Sequence, residues 1–506
     1  MPAGCSASGL EAISEIILPN PINLKPNLPH RLEFLTPDQV QQVHETILRV
    51  LAEVGVRVDW LPALEILAAN GCKVDFEQSI VRIPQDVLDR ALSTAPSQFQ
   101  LHARNPQQTL TVTLDDVYTV AGSSALNVLD LEGNHRPATL QDLRDFTRLI
   151  DALPLADIMH AMVIPQDIPQ PGFDRILFAT ILENSSKHYY SQGEGEQSVH
   201  DQVQMASVLQ GSIAAVRQAP IFSLVTCLTS PLIHPAERVQ EMIACAEYGI
   251  PLWLEATNMM GATAPVTIAG ALVEHTANVL AALTFVQLLR PGHPCIIGVA
   301  SGGLNMRTGT YVGASPEATL LHVASVQMAR FYGLPFEGSS GLDACLPDAQ
   351  AAYERALQDI PYALAGMNFI HLAFGLMNQL LTSSYEQAVI DHEILAAAYR
   401  LAEGFQVNAQ TLAFDQLRQA GPGGQFLTHP FTLRHFKEHQ WQPRLTSRLE
   451  WSQFQRQLGG ADMRQRANQL ARQLLASHQP LPLEEKQAQE LWRMAQAFQQ
   501  AALGNR

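Results

Sequence analysis

Three carboxylates stand where apolar runs give way to polar loops: Glu194 after "KHYYSQG", Glu255 within "PLWLEATNMMG", and Asp343 after "LPFEGSSGL". Only 16% of the residues are charged, and acids at the ends of buried runs ask for a partner. Three carboxylates converging on one mouth suit a bound cation, a metal, or acid/base work. Aromatic residues accompany them: Tyr189 and Tyr190, Trp253, Phe336, Phe369 and Phe374. Rings backed by carboxylates hold quaternary ammonium groups, which have no N–H to donate. The competing reading is that the rings fill a core, since strand alternation sends about half of them inward. His371, in "NFIHLAFG", is divided between a satisfied core histidine and a site residue; His160 and His188 read as core. Arg307, in "GGLNMRTGT", is a scarce positive charge that either staples its loop or meets a substrate carboxylate. Asp343, Glu194 and Glu255 are therefore the candidate catalytic residues. Tyr190, Trp253, Phe336, Arg307, His371 and Phe374 are the candidate substrate-binding ones, and no metal ligands are assigned.

The elements that must position these residues follow a regular alternation. Short apolar runs, "VYTVAGSS", "IMHAMVIPQD", "KHYYSQGEGE", "PIFSLVTCLTSPL", "PLWLEATNMMG", "PCIIGVASGG", "LPFEGSSGLDA" and "GMNFIHLAFG", are separated by longer stretches with helical spacing. Eight strand–helix units with no dinucleotide glycine pattern predict an α/β fold, a (β/α)8 TIM barrel over residues 117–407. A doubly wound sheet is the alternative, and it usually has six strands. Ahead of the barrel, residues 1–35 read as an extended arm and 36–116 as a small α+β cap. In that cap Thr36, Pro37 and Gly55 bound a helix, while "VRIPQDVLDRAL" and the stretch from Phe99 suggest short antiparallel strands. Residues 408–506, rich in Gln and Arg, predict a helical C-terminal extension packed on the barrel.

Composition excludes several classes of function. Lys+Arg 32 against Asp+Glu 48 leaves a net charge of −16, which repels nucleic acid. The six cysteines show no CxxC, so reduced thiols and a cytoplasmic setting are expected rather than a disulfide framework. "MPAGCSASGLEAISEII" lacks a basic and an apolar leader region. Residues 360–381 are uncharged and long enough to span a bilayer, but Pro361, Asn368, His371, Asn378 and Gln379 favour a buried strand followed by a buried helix. No membrane association is expected. GxxxxGK, GxSxG and HExxH are absent, which argues against nucleotide hydrolysis, serine hydrolase and zinc protease chemistry.

The order of several blocks resembles the trimethylamine methyltransferase family, which includes glycine betaine and other quaternary-amine corrinoid methyltransferases. The resemblance runs from about Arg31 to Met494. It is carried by "RLIDALPLADIMHAMVIPQDIP", "TAPVTIAGALVEHTANVLAAL", "PGHPCIIGVA", "NMRTGTYVGASPEA", "LPDAQAAYE", "GMNFIHLAFGLM", "IDHEIL" and "FLTHPFTLRHFKEHQWQPRL". It implies a (β/α)8 barrel that passes a methyl group from an amine to the Co(I) of a corrinoid, cobalamin, held by a separate partner protein. The absence of DxHxxG, the cobalt-ligating pattern of corrinoid carriers, agrees with that division of labour. No tightly bound metal is expected, and homo-oligomerisation is left open. The archaeal trimethylamine enzymes carry a pyrrolysine at a position matching Ala344. A tertiary amine would leave as an amide anion unless activated, whereas a quaternary ammonium leaves as a neutral amine. Its lack here points to a quaternary, betaine-like substrate. A barrel that binds such an amine without catalysis, as a sensor or scaffold, is the alternative.

Overall fold

The computed structural model describes residues 31–122 and 125–504, so the expected N-terminal arm lies outside the described residues except at 31–35. Eight short strands form the centre: β1 (Tyr118–Val120), β2 (Ile158–Met159), β3 (His188–Gln192), β4 (Phe222–Thr229), β5 (Leu252–Thr257), β6 (Cys295–Val299), β7 (Phe336–Ser339) and β8 (Phe369–His371). Each pairs in parallel with the next. β8 returns to β1, with Phe369 opposite Tyr118 and His371 opposite Val120, and closes the barrel. All eight apolar runs thus became strands of one closed sheet.

The helices that follow are α1 (Leu140–Asp151), α2 (Phe173–Asn184), α3 (Glu196–Gln210), α4 (Ala236–Tyr248), α5 (Ile268–Leu289), α6 (Pro316–Phe331), α7 (Ala349–Ala365) and α8 (Tyr385–Glu403). Their starts are fixed by side chains that accept otherwise orphaned amide protons: Thr139, Thr267, Ser315, Asp348 and Ser384. Gly249 and Gly366 end α4 and α7 in the left-handed conformation that glycine adopts without strain. Helix α5 is long and apolar enough to cross a membrane, but 83% of its most apolar window is buried inside the protein.

Alternation along the strands divides the core in two. Val120, Ile158, Tyr190, Val225, Trp253, Ile296 and Phe369 point inward as one cluster. Their neighbours Tyr189, Phe222, Leu224, Leu252, Leu254, Ile297, Phe336 and Ile370 pack outward under the helices. A hairpin formed by Phe99–Leu101 and Leu110–Val112 contributes Leu101 and Val112 to the inner cluster, and so plugs the N-terminal end of the barrel.

Three sequence expectations are corrected. "VRIPQDVLDRAL" is strand only at Ile80–Arg82; Gln85–Thr94 is a helix, because Val87, Leu88 and Ala91 share one buried face. Residues 360–381 begin inside α7 and continue through β8 into a hairpin (Leu376–Met377, Thr382–Ser384), the reverse of strand then helix. In the C-terminal extension, Met463–Ser477 packs on α8 and α1, and Glu485–Gly504 on α2 and α3. The helices Phe414–Ala420 and Pro430–His439, by contrast, bury no residue.

A buried cation ties two loops of the barrel mouth together. Arg355 on α7 is fully buried and donates to the carbonyls of Ser340, after β7, and Leu372, after β8. Asp391 on α8 pairs with it at 3.0 Å and accepts the amide of Gly375 at 2.7 Å. Asp359 lies 3.8 Å from the same guanidinium, and both its oxygens lack hydrogen-bond partners. Burial, partly opposed by Arg355, pushes the Asp359 carboxyl up to about 7. A folded-state pKa above the unfolded one means the folded chain holds the extra proton. Stability is therefore present in full below about pH 4 and falls as pH rises toward 7, by on the order of 4 kcal/mol. The Asp359→Asn variant carries no such proton. Its melting temperature should pull ahead of the wild type's as pH rises from 5 to 7.5, measured by calorimetry; a gap independent of pH would contradict this assignment.

Candidate active site

The eight strands contain two acidic residues, Glu255 on β5 and Glu337 on β7, and no Lys or Arg. Both face the interior just above the aromatic layer, where β8 adds His371. His371 Nδ1 lies 3.5 Å from Glu337 Oε2 and 3.7 Å from Glu255 Oε2. The three residues are at most 5% exposed. Neither ring nitrogen of His371 has a hydrogen-bond partner, nor has Glu337 Oε2. Buried polar atoms are usually satisfied, so three unpartnered atoms gathered at one point are free to meet something other than protein.

Glu337 reaches the axis because β6 presents Gly298 opposite it: a Cβ there would fall 2.4 Å from both Glu337 Cγ and Oε1. Tyr190 on β3 donates its hydroxyl to Glu337 Oε1 at 3.3 Å. Burial, followed by the Glu255 charge, holds the Glu337 carboxyl well above the usual carboxylate range, while the Tyr190 bond opposes the shift. Burial and the same two acids keep the Tyr190 phenol protonated. His160, immediately after β2, fixes the next side with Nδ1 2.8 Å from the Tyr190 carbonyl. Its ring packs edge-on to His371 and Tyr190. Burial lowers its pKa to about 3, and His371 adds to the shift, so it is a neutral wall.

Below the cluster, Trp253 contacts both Tyr190 and Phe369, each with ring centroids 4.7 Å away. Its indole N–H donates to Ser223 Oγ at 2.6 Å. Ser223 in turn meets His188 Nε2 at 2.8 Å, and His188 Nδ1 meets the His102 carbonyl at 2.6 Å. The chain of bonds runs down to the hairpin that plugs the barrel. Above the cluster, Cys227 lies deep in the protein yet is exposed, as are Thr229 and Thr257. The centre is thus open to water through the C-terminal mouth. The Cys227 thiol faces Glu255 Oε1 at 3.6 Å and is kept protonated by burial and by that carboxylate. Tyr311, from the hairpin Gly302–Asn305 and Thr310–Val312, is half-buried, and burial together with the nearby Asp343 and Glu255 carboxylates pushes its phenol up. Its ring lies against Gly302 and Gly313, where a Cβ would come within 2.7 and 2.8 Å of it.

The residues picked from sequence divide accordingly. Glu255 and His371 belong to the cluster. Tyr190 and Trp253 lie beneath it at 1% and 0% exposure, so in this structure they form the floor rather than walls offering a face to a ligand. Phe336 points outward, its ring 6.4 Å from His275 on α5, because its neighbour Glu337 points in. Phe374 is buried in the outer core. Asp343 stays apart from the carboxylate pair: its oxygens accept the amides of Gly313 and Ala314 at 3.0 and 3.1 Å, fixing the loop that follows Tyr311. Glu194 is exposed and accepts the Gly172 amide at the start of α2. Arg307 is exposed at the turn of the Tyr311 hairpin. Ala344, at the position matched to pyrrolysine, packs its methyl group with Leu342, Ala351 and Met377. Glu337, Tyr311 and Gly298 escaped the sequence reading. The sequence reading chose acids at the ends of apolar runs; the structure places Glu255 inside its strand, and a lone acid inside an apolar strand is the signal that would also have marked Glu337.

A closed parallel barrel with its acidic centre open at the C-terminal mouth is the architecture of a barrel enzyme whose chemistry takes place at the strand ends. The model of the trimethylamine methyltransferase family matches residues 11–499, and the chain belongs to that family; it is a methyltransferase. It is 32% identical over 460 residues to a glycine betaine methyltransferase from Desulfitobacterium hafniense strain Y51, covering 90% of this chain and 94% of the relative. It is 31% identical to the trimethylamine methyltransferase MttB of D. hafniense strain DSM 10664 / DCB-2, covering 91% and 92% of the two chains. Among solved structures, the hydroxylamine complex of MtmB matches with a TM-score of 0.50 at 12% identity, over 92% of this chain and 91% of that one, and shares the fold.

Gly298 gives a direct test of the cluster's geometry. In Gly298→Ala the new methyl group must drive Glu337 away from Tyr190 and His371. Misplacement on the scale of 1 Å costs about 10²-fold in turnover, while overpacking of this kind costs about 1–3 kcal/mol of stability. Methyl-transfer kinetics beside a denaturation curve should therefore show a folded protein with turnover reduced about a hundredfold; unimpaired turnover would remove Glu337 from the site.

Proposed function

We propose that the protein moves a methyl group from a quaternary amine to the Co(I) of a corrinoid carried by a partner protein. The observation that carries this reading is the acidity of the barrel centre: two inward glutamates and no Lys or Arg on any of the eight strands, beneath a mouth at which Cys227 is exposed. Such a site attracts a cation. A relative 32% identical over most of both chains is named for glycine betaine, a quaternary amine, and this supports the same substrate class here.

The chain's own contribution is to bind, orient and desolvate. The methyl donor enters through the mouth and rests above Glu255 and His371, with the ring of Tyr311 beside it. As the methyl carbon leaves for cobalt, the carbon–nitrogen electron pair stays on nitrogen and the amine departs neutral. No general acid is needed for that departure. Access from a large partner suits this mouth, because the opposite end of the barrel is filled by Leu101 and Val112.

The test is methylation of Co(I) cobalamin, free or bound to a carrier, followed by its visible spectrum. Glycine betaine, carnitine, choline, proline betaine and trimethylamine are run in parallel. Conversion with a quaternary amine and not with trimethylamine is the expected result. Conversion with trimethylamine would overturn the leaving-group argument, and binding without any conversion would favour a sensor. Tyr311→Leu should raise KM about 3- to 30-fold, the loss of one cation–π contact of about 0.7–2 kcal/mol, and Tyr311→Phe should leave it nearly unchanged.

A further inference from the structure

We propose that Glu255, Glu337 and His371 bind a divalent transition-metal ion, zinc by preference, at the centre of the barrel. Three observations carry the assignment. One nitrogen and the carboxylate oxygens of two residues lie within 4.8 Å of one another, all in buried side chains. The atoms facing the gap are unpartnered: His371 Nδ1 and Glu337 Oε2 accept and donate nothing. The separations of 3.5 and 3.7 Å from His371 Nδ1 to the two carboxylates are longer than a hydrogen bond. They approach the roughly 3.3–3.6 Å between ligand atoms that each lie about 2.0–2.2 Å from one tetrahedral ion.

The space suits an ion and excludes the methyl donor. A methyl carbon keeps about 3.5–4.0 Å from each neighbour, so a trimethylated nitrogen cannot sit among three atoms that are all within 4.8 Å of one another. One imidazole and two carboxylates leave a fourth position, the arrangement of a zinc site that takes a water or a substrate oxygen. That position opens toward the mouth, where Cys227 lies 3.6 Å from the other oxygen of Glu255.

Charge favours the same occupant, and this step rests on the quaternary-amine reading. A betaine brings one positive and one negative end. Two acids set side by side on strands that carry no Lys or Arg call for a cation between them. A trimethylated nitrogen is too large for that gap, so the ammonium of the donor lies further out, beside Tyr311, and the open position of the ion is where the carboxylate of a betaine would bind.

The experiment is elemental analysis of the purified full-length protein, followed by titration of chelator-treated protein with Co²⁺, read by its visible ligand-field bands. It is done in a His435→Ala/His439→Ala background, since His435, Glu438 and His439 form a second, exposed group of ligand atoms on the surface. One ion per chain and a tetrahedral cobalt spectrum are expected. Both should be lost in His371→Ala and in Glu337→Gln while the circular dichroism is retained. Protein that takes up no ion at micromolar concentrations, or that keeps it in both variants, overturns the proposal, as would full methyl transfer by the metal-free protein. A bound ion in a protein that demethylates no quaternary amine would leave the metal site standing and remove the methyl-transfer reading instead.

Discussion

Two carboxylates buried beside one another at the barrel axis are the constraint around which the rest of the molecule is arranged. Removing a carboxylate from water costs several kcal/mol unless a counter-charge or hydrogen bonds replace the lost hydration. Here the protein supplies little of either. Glu337 receives one hydroxyl, from Tyr190, and Glu255 faces one thiol, while His371 stands between them without a hydrogen bond. Elsewhere several buried acids stand beside a cation: Asp142 takes Arg136, Thr139 and Tyr385, Asp201 takes Arg175 through two nitrogens, and Asp359, though without hydrogen bonds, lies 3.8 Å from the Arg355 guanidinium. The pair at the axis has no Lys or Arg on any barrel strand to face it, and that contrast makes the axis the candidate site.

Holding an unsatisfied cluster open demands rigidity around it. The floor supplies this through Trp253, Ser223 and His188, a hydrogen-bonded line that fixes the plane of the indole. The mouth supplies it through Arg355, whose guanidinium joins the loops after β7 and β8 just beyond Glu337 and His371. Gly298 supplies the missing volume. Asp343 and Glu194, set among the mouth loops, serve the same end by accepting backbone amides. Their carboxylates order the loops that surround the opening.

Much of this was legible in the sequence, and the part that was not has physical reasons. The eight apolar runs and the stops between them mark the barrel, because a parallel strand buried on both faces needs a continuous apolar segment. What such a segment conceals is its parity. Phe336 and Glu337 are adjacent and cannot both point inward; the acid takes the axis and sends the ring to the helices. In a barrel so apolar the lone acid of a strand is the informative residue, and acids in loops are usually engaged with backbone. Tyr311 was beyond reach for another reason. It arrives on a hairpin inserted between β6 and α6, and nothing in the local pattern "NMRTGTYVGAS" states where an inserted hairpin folds.

The one-ended barrel sets the direction of the chemistry. The plug at Leu101 and Val112 closes the N-terminal end, and the aromatic layer above it is fully covered. On the function proposed above, substrate and methyl acceptor must therefore both use the C-terminal mouth. A displacement at carbon needs the entering atom on the side opposite the departing nitrogen, so the methyl group that moves must point out of the mouth with its nitrogen on the barrel side. A floor closed by packed rings and an opening above it allow that alignment and keep the second reactant outside the barrel.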